Sequence, residues 1–366
     1  MLRSLSLMLF ASACAPQYDE KLLEEYRQAV PDADTLDART PTSGALMLGE
    51  TALFPMLAAP VTWGINGAIG TIIVGLDVVT SLDPTYYDEE TQQFVWGPWN
   101  ADDYGKMALW IQKNPEGSEF AYSYALLRGT TRKLEGYEPI IVGGATPDPD
   151  HAHRGVGVTL WDADANIRFL EEHGQPTEGL DSGRFVAVYG RGPTDDGTEL
   201  AFVVSSFRDF VSADDPEAVP VDFDYLHGRA WEGETVVDFL DFQGTVDVDD
   251  PHDGVAENLD IRMAFLDRGI GRAEAGAYGG SLETGDQIAM TECWDDSVKE
   301  TYLLAELVDD GSTEALYQLG DASGCVEPFD RTLDELEVPS LADVDPSLLD
   351  ALDAVAEGGV DSVEWH

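Results

Sequence analysis

Short segments in which apolar and polar residues alternate follow one another at nearly regular spacing through residues 92–320. Alternation with a period of two is typical of β-strands, because successive side chains of a strand point to opposite faces. Gly, Asp, Asn and Pro separate the segments over lengths that suit hairpins. Fourteen candidate strands result, at 92–97, 106–113, 118–128, 137–143, 155–160, 184–191, 199–207, 219–227, 235–242, 259–266, 272–280, 287–294, 299–307 and 315–319.

This spacing predicts a mainly β fold: a meandering antiparallel sheet of roughly 10–14 strands, curved or closed into a barrel. One helix is predicted to interrupt it at 162–173, capped by Asp162. A single β domain is expected over 44–330. An acidic C-terminal tail is expected over 331–366, with a short helix at 346–356.

The segment before the strands is the least charged part of the chain. Residues 45–82 carry only two charges, Glu50 and Asp77. Two prolines in the first half predict two short helices that meet near Pro60, the second over 62–82 and apolar on all sides. Such a helix is normally buried in protein. Its length alone also suits membrane contact, and that alternative stays open.

One predicted strand supports burial of this helix. Alternate positions of the strand 272–280 hold only small residues, which allow a bulky element to approach the sheet closely. We therefore predict that the apolar helix packs in the concave face of the sheet. The expected contact residues are Gly64, Gly67 and Gly70 on the helix, and Ala273, Ala275, Ala277 and Gly279 on the strand.

The N-terminus reads MLRSLSLMLFASAC, in which Arg3 precedes an apolar run and three small residues that lead into Cys14. This order predicts a signal peptide over 1–13, lipidation of Cys14 and a lipidated tether over 14–43. The alternative is an ordinary secretory signal that leaves a cysteine at its end. By resemblance to enterobacterial sorting rules, the lack of aspartate after Cys14 favours an outer-membrane lipoprotein that faces the periplasm or the cell surface.

The other two cysteines, Cys293 and Cys325, form an even pair once Cys14 carries the lipid. In an oxidising compartment they are predicted to form a disulfide. A zinc or redox site would need more ligands or a closer spacing of the cysteines.

The chain has 71 acidic and 20 basic residues and a net charge of −51. Nucleic acid is excluded as a partner, because phosphate binding needs a basic patch. Dispersed acidity of this size indicates an adaptation for solubility, and the alternative is a protein that binds calcium at several sites. No other cofactor is expected.

The loop DPDHAHRG holds the only two histidines that lie close together in sequence. Imidazoles two residues apart can share a metal ion, and nearby carboxylates can complete its coordination. The alternative is a polar turn. The candidate ligands are His151, His153, Asp148 and Asp150.

A second acidic loop, DVDDPHDGVAEN, resembles a calcium-binding loop in the spacing of Asp249, Asp253 and Asp260. Pro251 stands where an oxygen ligand is required, so the EF-hand pattern is broken. A solvated hairpin turn is the alternative.

Four stretches carry a resemblance to known sequences: INGAIGTIIVGLDVV at 65–79, VWGPW at 95–99, GRAEAGAYGG at 271–280 and ECW at 292–294. Together with the cysteine leader, they resemble a family of uncharacterised lipoproteins of myxobacteria and related bacteria. The resemblance implies an exported β domain with an N-terminal helix, and it implies no activity.

No G-x-S-x-G motif occurs, and no catalytic residue is identified. The expected function is a structural or surface-interaction role, with the membrane bound through the lipid anchor and an envelope protein as a partner. The alternative is a carrier of a lipid or other hydrophobic small molecule in the sheet interior. A secreted metal-dependent hydrolase is less favoured. Trp96, Trp99, Trp110 and Trp161 are candidates for a sugar platform, although tryptophans on strands more often belong to the core.

Overall fold

Fifteen strands form one antiparallel sheet, in which each strand pairs with its neighbours in the sequence. The computed structural model describes residues 18–30, 38–41, 51–100, 105–151, 154–194, 197–211, 221–232, 235–246, 255–309 and 312–363. The strands are β1 Tyr86–Asp88, β2 Gln93–Asn100, β3 Lys106–Lys113, β4 Tyr122–Gly129, β5 Glu138–Pro147, β6 Gly155–Asp162, β7 Ser182–Pro193, β8 Glu199–Val211, β9 Val221–Glu232, β10 Thr235–Val246, β11 Glu257–Leu266, β12 Gly271–Tyr278, β13 Gln287–Trp294, β14 Glu300–Asp309 and β15 Ser312–Gly320.

The predicted meander is confirmed, and each of the fourteen predicted segments overlaps one strand. The short strand β1 was not predicted. The sheet is open, because β1 and β15 lie at opposite edges of the strand order and do not pair. The barrel alternative is therefore wrong.

Four α-helices accompany the sheet in the described part of the chain: α1 Glu20–Arg27, α2 Leu53–Thr80, α3 Ala163–Glu172 and α4 Pro346–Gly358. Aspartates cap three of them, since Asp19, Asp162 and Asp345 each accept a backbone N–H from the first turn. The two helices predicted at 162–173 and 346–356 are confirmed as α3 and α4, and α3 has its predicted cap, Asp162.

Helix α2 is one continuous helix, so the prediction of two helices that meet near Pro60 is wrong. Pro55 lies in the first turn of α2. A backbone N–H at that position would have no intrahelical partner, so its absence from proline costs the helix little. Pro60 lies in the interior and costs the helix ~3 kcal/mol. Contacts of Phe54, Ala58 and Thr62 with the rest of the protein, on both sides of this proline, offset that cost. Among the described residues, no helix combines the length and apolarity needed to cross a membrane.

One side of the sheet, here called the helix face, carries Phe94, Tyr124, Ala187, Tyr225 and Glu292 in the strand register. Helix α2 runs across this face. The Glu292 carboxylate on β13 accepts hydrogen bonds from the first two backbone N–H groups of α2. Near the middle of the helix, the Thr62 hydroxyl lies 3.3 Å from the Tyr225 hydroxyl on β9.

Only one side of α2 is buried in the described part of the helix. Phe54, Ala58, Thr62, Ile65 and Leu76 are buried, at spacings of three, four and eleven residues that bring them to one side. On the other side Met56, Leu57, Trp63 and Gly67 are exposed. The prediction of a helix buried on all sides is therefore wrong.

Helix α1 also packs on the helix face, with Leu23 and Tyr26 buried. The Tyr26 hydroxyl donates to the backbone carbonyl of Gln92 at 2.7 Å, and Arg27 donates to the carbonyl of Thr80 at 2.8 Å. Residues 18–30 of the segment predicted as a tether thus pack on the sheet.

The opposite side, here called the tail face, carries Asp162, Ser206, Asp241, Arg272 and Cys293. Residues 321–363, the segment from the end of β15 that includes the predicted tail, cover it. The Leu341 N–H donates to Asp241 at 2.7 Å, and the Val360 N–H donates to Asp162 at 3.1 Å. The predicted disulfide between Cys293 and Cys325 joins β13 to the start of this segment. Helix α3 packs beside it, against β5 and β7.

Candidate functional site: an aromatic cleft at the sheet edge

An open cleft of about 770 Å³ lies where the C-terminal end of α2 meets β2 and β3. Its walls combine apolar and aromatic side chains with polar groups. The lining residues are Val79, Leu82, Asp83, Thr85, Trp96, Gly97, Pro98, Trp99, Asn100, Lys106 and Arg132. Clefts of this size and composition are typical of small-molecule sites.

The sequence WGPW shapes the aromatic wall. The register with β3 shifts between Trp96 and Trp99, as in a β-bulge, so that the two tryptophans have different environments. Trp96 is buried and its indole N–H donates to the Leu82 carbonyl at 3.0 Å, which fixes the end of α2 to β2. Trp99 is only partly buried and lines the cleft.

Gly97 permits this bulge. Its φ is +92°, a backbone conformation that favours glycine. A Cβ at this position would lie 2.5 Å from the Trp99 ring, so a side chain would displace that ring. The Gly97 N–H donates to the Thr85 hydroxyl at 3.0 Å, which joins the bulge to the chain that follows α2.

Two cations lie among the polar groups of the cleft. The Lys106 ammonium donates to the Asn100 side-chain oxygen at 2.5 Å. Within the described residues, no carboxylate forms an ion pair with Lys106 or Arg132. Arginines elsewhere on the sheet, such as Arg229, are engaged by carboxylates. The cleft can therefore offer an aromatic surface together with positive charge to one ligand.

Two buried carboxyl groups also have unusual properties. Burial raises the pKa of Glu292 to about 8, and the neighbouring Glu300 adds to this effect. The two N–H groups at the start of α2 act in the opposite direction but do not outweigh burial. Glu292 is fully buried and holds the helix end, so it is not accessible to a substrate.

The second buried carboxyl group is Asp241, on the tail face. Burial and the nearby charge of Asp260 raise its pKa to about 7, and the pKa of Asp260 is raised as well. A coupled pair of carboxyl groups resembles an acid–base dyad. The backbone at Leu341 covers this pair, however, and Asp241 is only 1% exposed. We therefore assign the pair of Asp241 and Asp260 a structural role, in holding residues 321–363 on the sheet.

The candidate metal ligands in the β5–β6 hairpin form a polar turn. The Asp148 carboxylate accepts the Asp150 N–H at 2.8 Å and lies 3.0 Å from Nδ1 of His151, which is exposed. Among the described residues, no group of three or more His, Cys, Asp or Glu side chains is placed to hold a metal ion. His153 lies outside the described residues.

The second candidate metal loop is described only at its end, since Asp249 and Asp253 lie outside the described residues. Asp260 lies on β11, where it accepts a hydrogen bond from Gln243 at 3.4 Å and interacts with Asp241. Its carboxylate therefore belongs to the tail-face pair.

Three of the small residues predicted to contact α2 lie on the helix face of β12. Ala273 and Ala277 are buried on the helix face, Ala275 is partly buried there, and Ala273 pairs with Glu292 beneath the start of α2. Gly279 lies beyond β12 in a turn with φ of +75°, so it is not part of this row.

Of the glycines of α2 predicted to contact this strand, Gly67 is exposed. A Cβ there would meet no atom within 4 Å, so this glycine does not permit a close approach. The surroundings of Gly64 and Gly70 lie outside what the structure describes.

The sequence indicated two tryptophans of the cleft but not the cleft itself. Asp83, Lys106 and Arg132 come from three separate segments of the chain, and only the fold brings them beside Trp99. Comparison with protein-family models, curated proteins and solved structures finds no match for this chain.

Proposed function

We propose that this protein is an outer-membrane lipoprotein that binds a small amphipathic molecule, with an aromatic or apolar body and an anionic group, in the aromatic cleft. The observation that carries the proposal is the pairing of Trp99 with Lys106 and Arg132 in one open cleft. Aromatic side chains attract flat apolar groups, and the two cations select an anion.

Basic residues are rare in this chain, so two of them in one cleft are an unusual feature. Only 20 of the 366 residues are basic, against 71 acidic residues. With two basic side chains against one aspartate, Asp83, the lining of the cleft has a local charge opposite to that of the whole molecule. Such a site can discriminate between anionic and cationic ligands.

The proposed location rests on the leader sequence ending at Cys14 and on the disulfide between Cys293 and Cys325. Disulfides persist in compartments outside the cytoplasm. Lipidation of Cys14 would keep the protein in the envelope, and envelope delivery would give the cleft access to small molecules there.

The sheet interior is less suited to a ligand than the cleft. On the helix face, the side chains of Ile65 and Tyr225 belong to one continuous hydrophobic core. The Thr62 hydroxyl contacts the Tyr225 hydroxyl directly across this core. A hydrophobic ligand at the middle of the sheet would have to displace α2.

A surface-interaction role is the second candidate, and the edge strand β15 favours it. All nine residues of β15 are exposed, among them Leu316, Tyr317 and Leu319. An edge strand of this kind can add an extended segment of an envelope protein by backbone hydrogen bonding. Replacing Leu316 by Pro should abolish capture of such a partner from envelope extracts, while Val326→Pro, outside the sheet, should leave it unchanged.

The cleft is tested with 8-anilinonaphthalene-1-sulfonate, a probe with aromatic rings and one anionic group, whose fluorescence rises on binding. We expect saturable binding that weakens on the order of tenfold in Trp99→Ala and in the pair Lys106→Gln with Arg132→Gln. The matched control is Lys133→Gln, an exposed cation next to Arg132 that does not line the cleft. Urea unfolding establishes that each variant is folded.

Equal affinity in all these variants would remove the cleft as the binding site. If Lys133→Gln weakened dye binding as much as the cleft variants do, the effect would come from the general charge of the protein. A bound small molecule in native mass spectra of the purified protein would identify the natural ligand, and its loss in Trp99→Ala would place it in the cleft.

A further inference from the structure

The outer side of α2 is an exposed apolar surface. Met56 and Leu57 are each 47% exposed and Trp63 is 64% exposed. Residues 51–76 contain no charged side chain, although one quarter of all residues in the chain are charged. A helix that packs one side on a sheet and turns the other to water normally carries charged residues on the outer side. The outer side of α2 therefore suits an apolar neighbour.

The described chain begins on the helix face, four residues after the predicted lipidation site. Tyr18, the first described residue, packs its ring against those of Tyr87 and Phe94, at centroid distances of 6.1 and 5.0 Å. Cys14 precedes Tyr18 by four residues, which span at most ~14 Å when fully extended. A lipid on Cys14 would thus hold the helix face close to the membrane.

The two layers that cover the sheet differ greatly in charge. Residues 321–363, on the tail face, contain twelve acidic residues and one arginine. On the helix face, residues 51–82, which contain α2, carry one charge, Asp77, and α1 adds three acidic and two basic residues. Bilayers have an apolar interior and often a negative surface, so an acidic layer is repelled and an uncharged one is not. Repulsion from an anionic membrane is therefore stronger for the tail face than for the helix face.

From these three observations we propose that α2 lies on the membrane surface, with Met56, Leu57 and Trp63 in contact with lipid. The inference rests on the proposed lipidation of Cys14. Tryptophan suits this position, because its ring is favoured at the boundary between lipid and water. The lipid and α2 then form two contacts with the bilayer, which together fix the orientation of the sheet.

The orientation has a consequence for the aromatic cleft. Leu82 lies just beyond the C-terminal end of α2, lines the cleft and is exposed. With α2 on the membrane, the cleft opens next to the lipid surface. An amphipathic ligand could then reach it along that surface.

The test uses the full protein isolated from its host envelope and reconstituted into vesicles of dibrominated phosphatidylcholine, whose bromine atoms quench tryptophan fluorescence inside the bilayer. We expect quenching relative to vesicles without bromine. Trp63→Phe should reduce the quenched signal at least twofold. The matched control is Trp231→Phe, because the Trp231 ring packs against Arg191 and Arg229 on the sheet.

No quenching, or equal quenching in Trp63→Phe and the wild-type protein, would overturn the proposal. Vesicle-free protein gives a second readout. If acrylamide in water fails to quench Trp63 there, another segment of the chain covers the outer side of α2, and the proposal is also overturned.

Mass spectrometry of the N-terminal peptide separates this inference from the proposed function. A lipidated Cys14 with no quenching of Trp63 would overturn the position of α2 and leave the lipoprotein proposal standing. An unlipidated Cys14 would overturn the lipoprotein proposal. Quenching of Trp63 in that protein would still support contact of α2 with lipid, and its absence would overturn that contact too.

Discussion

The two faces of the sheet are covered in different ways. On the helix face, apolar side chains such as Ile65 and Leu76 are buried, and in the described part of α2 few polar groups join the helix to the strands. On the tail face, charged side chains tie residues 321–363 to the sheet. Arg208 pairs with Asp353, Arg262 pairs with Asp334, and Arg184 donates to the backbone carbonyl of Glu357.

This difference shows how one sheet supports two chemically distinct surfaces. Successive residues of each strand point to opposite faces, so each face has its own composition. The helix face buries apolar area, which depends little on salt. The tail face depends on ion pairs and on one disulfide, and it remains compatible with water. Four experiments can break or sharpen this comparison.

The largest effect is expected from the disulfide of the tail face. Cys293 and Cys325 are 32 positions apart, and a loop of this length stabilises a protein by about 3.7 kcal/mol in the chain-entropy model. Replacing both cysteines by serine should lower the free energy of unfolding in urea by this amount. Reducing agent should lower it equally in the wild-type protein and leave the variant unchanged. A variant as stable as the wild type would mean that ion pairs alone hold this segment.

The two sides of α2 should respond very differently to truncation. Ile65→Ala removes a fully buried side chain and should cost about 3 kcal/mol in urea unfolding. Leu57→Ala, on the exposed side, should change stability by no more than ~0.5 kcal/mol in the absence of membranes. Equal losses in the two variants would contradict the one-sided packing of the helix.

Titration of buried carboxyl groups should affect both faces. The pKa values of Asp241 and Glu292 are raised in the folded protein, to about 7 and about 8. The folded state thus favours their protonated forms, while the unfolded chain ionises near pH 4. Their contribution to stability is complete below pH ~4 and is lost as the pH rises through about 7 for Asp241 and about 8 for Glu292.

Urea unfolding between pH 4 and 8 measures this loss. Asp241→Asn and Glu292→Gln should each flatten the pH dependence by on the order of 2 kcal/mol. Asp148→Asn is the control, because hydrogen bonds lower the pKa of this exposed aspartate and keep it ionised throughout the range. If the free energy of unfolding of Asp241→Asn changed with pH as steeply as that of the wild type, the pair of Asp241 and Asp260 would not titrate in this range.

Much of the fold could be predicted because it depends on local patterns. Alternation located fourteen strands, while β1, with three residues, is too short to show a period. Closure of the sheet could not be predicted, since it depends on whether two strands far apart in the chain pair. The prolines of α2 suggested a break, because the sequence does not reveal the contacts of Phe54 and Thr62 that stabilise the helix on either side of Pro60.

The candidate site was harder to predict. Trp96 and Trp99 were recognisable as aromatic residues of one strand, but Lys106 and Arg132 gain significance only through their position beside Trp99. The metal hypotheses relied on spacing in loops. Where the structure describes such a loop, Asp148 uses its carboxylate to bond the turn itself. Spacing alone does not distinguish a metal ligand from a residue that stabilises a turn.

The smallest effect is expected from a single ion pair of the tail face. The Arg208 side chain is 16% exposed and that of Asp353 is 42% exposed, so water screens their interaction. A double-mutant cycle with Arg208→Gln and Asp353→Asn should give a coupling of about 0.5–1 kcal/mol, which falls in concentrated salt. The cycle cancels the general effect of salt on a chain with a net charge of −51.

A matched cycle on the helix face, with Thr62→Val and Tyr225→Phe, removes a neutral contact between buried hydroxyl groups and should not depend on salt. If both cycles respond to salt alike, the tail face is not held by charge, and the contrast between the two layers would rest on the disulfide alone.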